Sequence, residues 1–566
     1  MPIRMKRFLS KHAHLLLTLV FGVAVFLFWR FRYPFVLSYQ EQLQMFLFDG
    51  DYFCERMSEP GGLARYLAEF LVQFYNGVTI GAVIIALLLM LVQRLTWRLM
   101  FSASHYALSF IPVTMLWYAM GDENVMLTYV VALAMALAAV WGLGSLFRSW
   151  GYDMPATLRK LQVVLVLMPL LYWFIGPLAL LPALFLMPLA VVYVLVLMLL
   201  SAQWLPFPMM RVILGISYYR VPVTLPYMLM AIPVVIFVIG NFVRLFPKAS
   251  QKVEVAEAVV MMLLMGGLVD LGFEKKKYEL IEYDYLVRIG DWNSIIAKAE
   301  KQMPDLPMSV SATNLALGMT DQLGERAFDF YQHGTEGLLP KFERNFATAQ
   351  LSGEIYFHLG LINTAQRFAF EAMEAIPNYN KSARVVKRLA ETNLINGQYK
   401  VAEKYLRLLE KTVFYRPWAQ RTIQMLGNEK AINEHPLYGA LRQYRLQDDL
   451  LFSERELDKI CGQLFIHNHQ NQMATQYLLM IPLLDRDIPR FMNYAQYVQS
   501  KMPYNPRSCQ EGIAFAFMQR QQQPPQGLVN QLIRQQMIDF ARVYSKDKNS
   551  PELARFRNTV WYYLVK

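Results

Sequence analysis

The sequence predicts an all-α protein in two parts, a polytopic transmembrane helical bundle followed by a helical-repeat domain. Hydrophobic residues make up 55% of the 566-residue chain and charged residues 17%, whereas a typical soluble domain carries about 25% charged residues. The shortfall lies in residues 14–247, which are almost continuously apolar, while residues 274–566 have the composition of a soluble protein. Helical periodicity with almost no strand signal in the second part completes the prediction.

Seven apolar segments, each near the roughly 20 residues that cross a bilayer, predict the membrane spans. They lie at 14–31, 68–92, 101–120, 125–147, 161–176, 179–201 and 224–246. The segments lack the alternating pattern of a transmembrane β-barrel, so the spans are predicted to be helices. We therefore expect a transmembrane domain of about seven helices at 1–247, with an acidic first outer loop at 33–67.

Basic residues predict the orientation of these spans. Arg94, Arg98 and Arg148 flank spans on one side, whereas Asp122 and Glu123 lie in a connection on the other side. The positive-inside rule places the more basic side in the cytoplasm, together with the amino terminus. Seven spans then put the carboxyl-terminal domain outside the cytoplasm. The expected location is a bacterial inner membrane, with the carboxyl-terminal domain in the periplasm.

Residues 248–273 are predicted to form an amphipathic linker helix at the membrane surface. The uncharged core of this segment, 258–269, has only 12 residues, which is short for a crossing. Residues 253–273 as an eighth span remain an open alternative. In that case the soluble domain at 274–566 becomes cytoplasmic.

The soluble domain contains an internal repeat. Within 382–412, small and apolar residues recur at fixed spacing around a helix–turn–helix pattern; these are Leu389, Ala390, Gly397, Tyr399, Ala402, Leu406 and Leu409. The preceding run at 365–377 matches the second helix and terminal proline of the same unit. This pattern resembles the tetratricopeptide repeat. The resemblance implies a helical solenoid whose concave face binds a protein or peptide partner.

Carboxylates in the first outer loop are the candidate catalytic residues, because acidic side chains near a bilayer are costly and tend to be functional. Glu41, Asp49 and Asp51 precede a turn at Pro60–Gly61 and an aromatic helix. This order resembles the first outer loop of the GT-C glycosyltransferases, which use lipid-phosphate-linked sugars. The resemblance implies that Glu41 acts as general base or divalent-cation ligand. The chain departs from the family in having Gln40 where an aspartate is usual.

Composition and motifs exclude several other functions. The net charge of +12 is assigned to segments that flank the spans, and no nucleic-acid module is present, so no nucleic-acid partner is predicted. Cys54, Cys461 and Cys509 form no metal or disulfide motif. His467 and His469 do not share one helix face, so they do not form a helical zinc motif. No cofactor is predicted apart from the cation that the resemblance implies.

A looser resemblance covers the whole chain. The predicted seven-span front and the run Gly360–Pro377 resemble an uncharacterised membrane family of Bacteroides-type bacteria. This likeness implies an architecture and an envelope setting, and it implies no reaction. Two functions therefore remain open, an envelope scaffold that binds a partner protein and a glycosyltransferase with a lipid-linked sugar donor. The sequence leaves open whether the chain is an enzyme.

Overall fold

The computed structural model describes residues 3–102, 104–149, 156–205, 208–215, 219–220, 227–343, 345–376, 380–446 and 456–566. These residues contain no β-strand, and an isolated antiparallel bridge joins Val125 to Arg220. Thirty α-helices, a π-helical turn at Phe28–Arg32 and several short 3-10 turns make up the regular structure of the described residues. The predicted all-α fold class is confirmed.

The chain divides into two compact units. The first unit comprises residues 1–278 with two short later segments, 377–383 and 411–416. The second unit comprises 279–376, 384–410 and 417–566. The division at 278 falls close to the predicted start of the soluble domain at 274. The exact domain boundaries remain predictions.

The first unit is built from thirteen helices within the described residues, and part of a fourteenth. They are α1 Ile3–Leu27, α2 Pro34–Gln42, α3 Gly50–Met57, α4 Gly62–Val72, α5 Val78–Met100, α6 Ile111–Ala119, α7 Leu127–Ser149, α8 Ala156–Ile175, α9 Leu180–Leu186, α10 Pro188–Trp204, α11 Met209–Leu214, α12 Tyr227–Phe242, α13 Gln251–Leu271 and α14 Lys275–Ile289. Prolines stand in the first turn of α2, α6 and α10, where the missing N–H removes no helical hydrogen bond.

Five helical stretches of the first unit are long and apolar enough to cross a membrane, so the chain is a membrane protein. They are Ala13–Arg32, Val78–Met100, Leu127–Ser145, Lys160–Leu186 and Tyr227–Leu245. Two shorter apolar helices lie at Tyr106–Ala119 and Pro188–Trp204, and α13 with α14 forms a further apolar pair that is bent by 69°. Lys160–Leu186 runs through the point that separates two predicted spans. The number of seven spans remains a prediction.

The second unit consists of helices packed in successive pairs. They are α15 Trp292–Lys301, α16 Pro307–Met319, α17 Leu323–Arg326, α18 Phe346–Leu359, α19 Ile362–Glu374, α20 Ala383–Ile395, α21 Tyr399–Glu410, α22 Arg416–Ile423, α23 Glu429–Glu434, α24 Pro436–Tyr444, α25 Leu457–His467, α26 Gln472–Leu484, α27 Ile488–Lys501, α28 Arg507–Gln519, α29 Gln531–Lys546 and α30 Val560–Val565. The turn at Gly397 adopts a positive φ of 76°, which glycine tolerates at a helix end. The predicted helix–turn–helix at 382–412 is present as α20 and α21.

The interior of the second unit is occupied by a helix. Every residue of α26 after Gln472 is buried, and α26 contacts both α16 and α18, which are almost wholly buried as well. The apolar run at 478–484 supplies much of this core. A solenoid with an open concave face does not have such an occupied centre. Within the described residues, this unit therefore has the paired helices that the sequence predicts, but its centre is not an open groove, and the tetratricopeptide resemblance remains a prediction.

Candidate functional site

Glu41 lies in α2, next to a very small cavity. Its side chain is buried, and it lines a cavity of about 10 Å³ together with Gln44, Gln73 and Thr412. A cavity of this size holds about one water molecule. A sugar or a phosphate group therefore does not fit beside Glu41 in this conformation.

Two amide oxygens border the same cavity. Gln73 donates from Nε2 to the carbonyl oxygen of Phe70 at 2.8 Å. This hydrogen bond identifies which end of the Gln73 amide is nitrogen and which is the oxygen Oε1. The Oε1 atoms of Gln73 and Gln44 are buried without a hydrogen-bond partner among the described residues. Buried polar groups of this kind are commonly satisfied by an ordered water. The cavity is thus suited to one bridging water.

The divalent cation that the glycosyltransferase resemblance implies does not fit this cavity. The described residues contain no group of three or more His, Cys, Asp and Glu side chains that could hold a metal ion. A catalytic Mg²⁺ usually keeps several waters and contacts substrate phosphates. Glu41 and two amides around a space for one water do not supply that environment, so no step through a metal is derived.

Asp49 and Asp51 do not join Glu41. Asp49 lies at the start of α3, and its carboxylate accepts a hydrogen bond of 2.6 Å from Nζ of Lys411, which lowers the pKa of Asp49. Asp51 is exposed in the first turn of α3. Neither aspartate lines the cavity beside Glu41. Their catalytic role remains a prediction, and the three side chains do not meet in one cavity.

A buried charge cluster surrounds Glu69 in α4, two residues beyond the predicted end of the first outer loop and before the apolar stretch Val78–Met100. We define the first-loop cluster as Tyr52, Arg56, Arg65 and Glu69. Glu69 accepts hydrogen bonds from Nε of Arg56 at 2.7 Å and from Nε of Arg65 at 3.0 Å, and Tyr52 donates its hydroxyl to the same carboxylate. All four side chains are buried. The cluster therefore joins α3 to α4 by charge-assisted hydrogen bonds.

Two opposing influences act on the pKa of Glu69. Burial alone raises the pKa of a carboxyl group, but the guanidinium groups of Arg65 and Arg56 outweigh it and lower the pKa of Glu69. Burial, followed by the charge of Glu69, raises the pKa of Tyr52. Glu69 is thus an anion and Tyr52 a neutral donor at neutral pH.

Asn380, from a short later segment of the first unit, extends the cluster. Its Oδ1 accepts a hydrogen bond of 2.7 Å from Nη2 of Arg65, and Nη2 of Arg56 lies 3.5 Å away. A backbone hydrogen bond joins the same two segments, since the N–H of Met45 donates to the carbonyl oxygen of Lys381 at 3.0 Å. The loop and this later segment therefore form one hydrogen-bonded structure.

The turn between α3 and α4 is closely packed. A Cβ added at Gly62 would lie 2.0 Å from the carbonyl oxygen of Arg56, so only glycine fits this position. The N–H of Gly61 donates to the carbonyl oxygen of Trp173 at 2.8 Å, and the indole of Trp173 donates to the carbonyl of Met57 at 2.9 Å. The acidic loop is thus an ordered helical hairpin attached to α8.

The sequence contained one local signal for this cluster. Arg65 and Glu69 stand four residues apart, the spacing that pairs opposite charges on one helix face. An interpretation based on carboxylates alone gives weight to Asp49 and Asp51 and overlooks the arginines. Arg56 and Asn380 carry no local signal, because their roles depend on the folding of the loop.

The second unit contains a comparable cluster. We define the repeat cluster as Asp284, Glu354, His358, Arg384 and Arg388. Arg388 donates from Nη2 to Glu354 at 2.6 Å, and Arg384 donates from Nη1 to both carboxylate oxygens of Asp284 at 2.9 and 3.0 Å. Burial would raise the pKa of Glu354, but the two arginines lower it to about 2. Burial lowers the pKa of His358 to about 4.

An apolar groove of about 450 Å³ opens near the end of the second unit. It lies where α28, α29 and α30 meet, and its lining includes Met518, Phe540, Tyr544 and Leu564. The exposed side chain of Arg486 stands at its margin. The volume lies within the usual range for ligand pockets. The groove can therefore accept an apolar side chain next to an anionic group.

Comparison with known proteins places the chain in a family without assigning an activity. No curated protein and no solved structure matches the chain. One family model covers nearly the whole chain, including both the apolar spans and the paired helices that follow them. That model, a family of unknown function, matches residues 10–566, and the chain therefore belongs to the family DUF6057.

Proposed function

We propose that this protein is an envelope scaffold of a bacterial inner membrane whose helical-repeat domain binds a partner protein. We base this on the groove between α28, α29 and α30. This groove of about 450 Å³ has aromatic residues, Phe540 and Tyr544, beside polar ones, Arg486 and Gln519. An aromatic or aliphatic anchor of a partner could supply much of the binding energy there.

The chemistry of the groove specifies the partner. An extended segment that inserts an aromatic or aliphatic side chain between Met518 and Phe540 would bury it against apolar carbon. Arg486 at the margin can pair with a carboxylate one or two residues away in that segment, and arginine is well suited to such pairs. The expected partner therefore presents an apolar side chain next to an acidic one.

Site-specific photo-crosslinking in living cells tests this function. A photoreactive amino acid at Met518 is expected to give one discrete adduct, identified by mass spectrometry, and Arg486→Glu is expected to abolish it by charge repulsion. The matched control carries the same photoreactive group at Gln535, an exposed position of α29. The same adduct from Gln535, or an adduct from Met518 that survives Arg486→Glu, contradicts the proposal.

The glycosyltransferase alternative has less support. It requires a space for a lipid-linked sugar next to Glu41, and the cavity there is about 10 Å³. Asp49 is occupied by Lys411, and Asp51 is exposed. For these reasons we propose partner binding in preference to sugar transfer.

The proposal includes a topology in which α13 crosses the membrane. Near its start, Glu257 pairs with His105 at 2.7 Å, and near its end Asp270 pairs with Arg32 at 3.0 Å. Asp270 follows Glu257 by thirteen positions, which corresponds to a rise of about 20 Å along a helix. Arg32 ends the first apolar stretch, whereas His105 precedes the third. These contacts support a crossing, in place of the surface position that the sequence predicts.

Ion pairing at both ends also explains how a helix with several carboxylates enters a bilayer. Charged groups near a membrane are tolerated when they are paired or close to the interface. Arg244 and Lys248 precede α13 and Lys252 lies in its first turn, whereas Asp122 and Glu123 lie on the side of Arg32. The five long apolar stretches, the short apolar helix Tyr106–Ala119 and α13 would make seven crossings. With this odd number, the cytoplasmic amino terminus that the positive-inside rule supports goes with a periplasmic repeat domain.

Reporter fusions test this topology. A fusion after Lys248 is expected to give a cytoplasmic signal, and a fusion after Lys277 a periplasmic one, because the two sites flank α13. The same signal from both fusions contradicts a crossing by α13. A cytoplasmic signal at Lys277 contradicts the periplasmic location of the repeat domain.

A further inference from the structure

A long apolar groove lies in the first unit, against α1 and α13. Its volume is about 560 Å³, and its lining is apolar along its length, with Leu17, Phe21 and Met265 among its residues. Arg32 and Asp270 also line it. Because α1 belongs to the first apolar stretch, Ala13–Arg32, the groove lies at the depth of the hydrocarbon core. It is a site of different chemistry from the groove in the repeat domain.

The dimensions of this groove suit an extended hydrocarbon chain. The lining residues on α1 and the turn that follows it run from Leu17 to Arg32, which corresponds to about 22 Å along a helix. One leaflet makes up half of a hydrocarbon core of about 30 Å. Met261, Met262 and Met265 contribute flexible thioether side chains that adapt to an irregular chain. An acyl chain inserted from the Arg32 end can therefore remain in contact along its length.

The polar end of the groove has one positive and one negative side chain, Arg32 and Asp270. Such a pair can recognise a zwitterionic headgroup, which carries both charges. Arg32 and Asp270 form an ion pair at 3.0 Å, yet their side chains are 53% and 39% exposed. A guanidinium binds phosphate through a planar set of N–H donors. A carboxylate close to it can accept hydrogen bonds from an ammonium group. Phosphate and primary ammonium lie close together in a phosphoethanolamine headgroup.

We propose that this groove is a binding site for a phosphatidylethanolamine molecule of the surrounding bilayer. One acyl chain lies against α1 and α13, the phosphate contacts Arg32 and the ammonium contacts Asp270. Association inside a bilayer gains no hydrophobic free energy, since the chain only exchanges lipid contacts for protein contacts. Selectivity therefore depends on the charge pair at the end of the groove and on close packing along it.

Two neighbouring glycines of α13 provide a matched pair of variants. Gly266 lines the groove, whereas Gly267 does not. A Cβ added at either position meets no atom within 4 Å, so both positions accept a larger side chain. Gly266→Leu extends four carbons into the groove, and Gly267→Leu makes the same change in helix propensity without filling it.

The test uses the full-length protein in nanodiscs of equal phosphatidylethanolamine and phosphatidylglycerol, followed by native mass spectrometry in a mild detergent. The wild type is expected to retain one phosphatidylethanolamine in preference to phosphatidylglycerol. Gly266→Leu is expected to reduce retention about tenfold, a loss of roughly 1.4 kcal/mol, and Gly267→Leu to leave it unchanged. Equal retention by the two leucine variants overturns the proposal.

Charge variants test the headgroup assignment separately. Asp270→Asn is expected to reverse the preference toward phosphatidylglycerol, because the ammonium loses its partner while Arg32 remains. Arg32→Gln is expected to reduce retention of both lipids. Retained lipids in the bulk ratio for the wild type, or a mass that corresponds to a second copy of the chain in the groove, contradict the proposal.

Discussion

The two buried charge clusters satisfy the same chemical requirement in different surroundings. In each, a buried glutamate is held by two arginines, Glu69 by Arg56 and Arg65 and Glu354 by Arg384 and Arg388. The first-loop cluster lies on helices of 8 and 11 residues, whereas the repeat cluster lies on helices of 13 to 15 residues.

This difference in helix length affects what each cluster must do. Isolated helices shorter than about 12 residues are marginal in water, so short helices depend on tertiary contacts. The two helices of the first loop therefore rely on Glu69 to hold them together. The helices of the repeat domain are also stabilised by the buried core around α26. An ion cluster can thus hold a small structure together in one region and add to an existing core in another.

The largest effect is expected when the charge of Glu69 is removed. Glu69→Gln leaves Arg56 and Arg65 buried with weaker partners, because Glu55 is 66% exposed and Glu59 lies 3.5 Å from Arg65. Breaking a buried ion pair in this way typically costs about 3–5 kcal/mol. Hydrogen–deuterium exchange of peptides from α3 and α4 in the full chain is expected to rise by a corresponding factor.

The control for this variant lies in the same loop. Asp49→Asn removes the pair with Lys411, in which the aspartate is 28% and the lysine 46% exposed, and solvent screening leaves such pairs with little effect on stability. Exchange in α3 and α4 is expected to change little. An effect of Asp49→Asn as large as that of Glu69→Gln would mean that the buried cluster does not hold the loop.

A smaller effect is expected at Glu354. After Glu354→Gln, Arg384 keeps its two contacts with Asp284, and Arg388 keeps Glu391 at 3.1 Å. The remaining partners reduce the cost to about 2–3 kcal/mol, below the usual range for a broken buried pair. Exchange in α18 and α20 measures this cost. Equal costs at Glu354 and Glu69 would show that helix length and the neighbouring core make no difference.

The two clusters also differ in what the sequence could reveal about them. Apolar runs and helical periodicity predict the all-α fold, because both depend on residues that are close in sequence. The first-loop cluster depends on Asn380, which lies 315 residues after Arg65. The number of carboxylates in the loop suggested Glu41, Asp49 and Asp51 as candidate catalytic residues. That number does not tell which side chains come together in the folded protein. The helix pair at 382–412 was predictable because its spacing is local.

The length of its hydrophobic run does not decide how α13 lies relative to the membrane. The uncharged core of 12 residues predicts a surface helix. The crossing that we propose rests instead on a hydrogen bond of 2.7 Å between His105 and Glu257 and an ion pair of 3.0 Å between Arg32 and Asp270. Such pairing reduces the cost of carboxylates near a bilayer. Because both partners are distant in sequence, only the packing of helices reveals it.

The smallest expected effect concerns the pH dependence of the repeat cluster. Burial lowers the pKa of His358 to about 4 from an ordinary value of 6.5, so between these pH values the unfolded state binds more protons there than the folded state. The stability contributed by neutral His358 is complete above pH 6.5 and is lost as the pH falls toward 4. Glu354, with a pKa of about 2, stays ionised across this range. Between pH 7 and 5 the loss attributable to His358 is expected to be about 1–2 kcal/mol.

Pulse proteolysis of the repeat domain in urea, with the full-length protein in detergent at pH 7, 6 and 5, measures this loss. Other groups titrate in the same range, so the informative quantity is the difference between the wild type and His358→Gln. That variant is expected to be less stable at pH 7 and to lose less stability on acidification. His467→Gln, at an exposed position, is the control and is expected to follow the wild type. If the stabilities of the wild type and His358→Gln change in parallel with pH, the histidine is not buried in its neutral form. The repeat cluster would then be more open to water than the first-loop cluster.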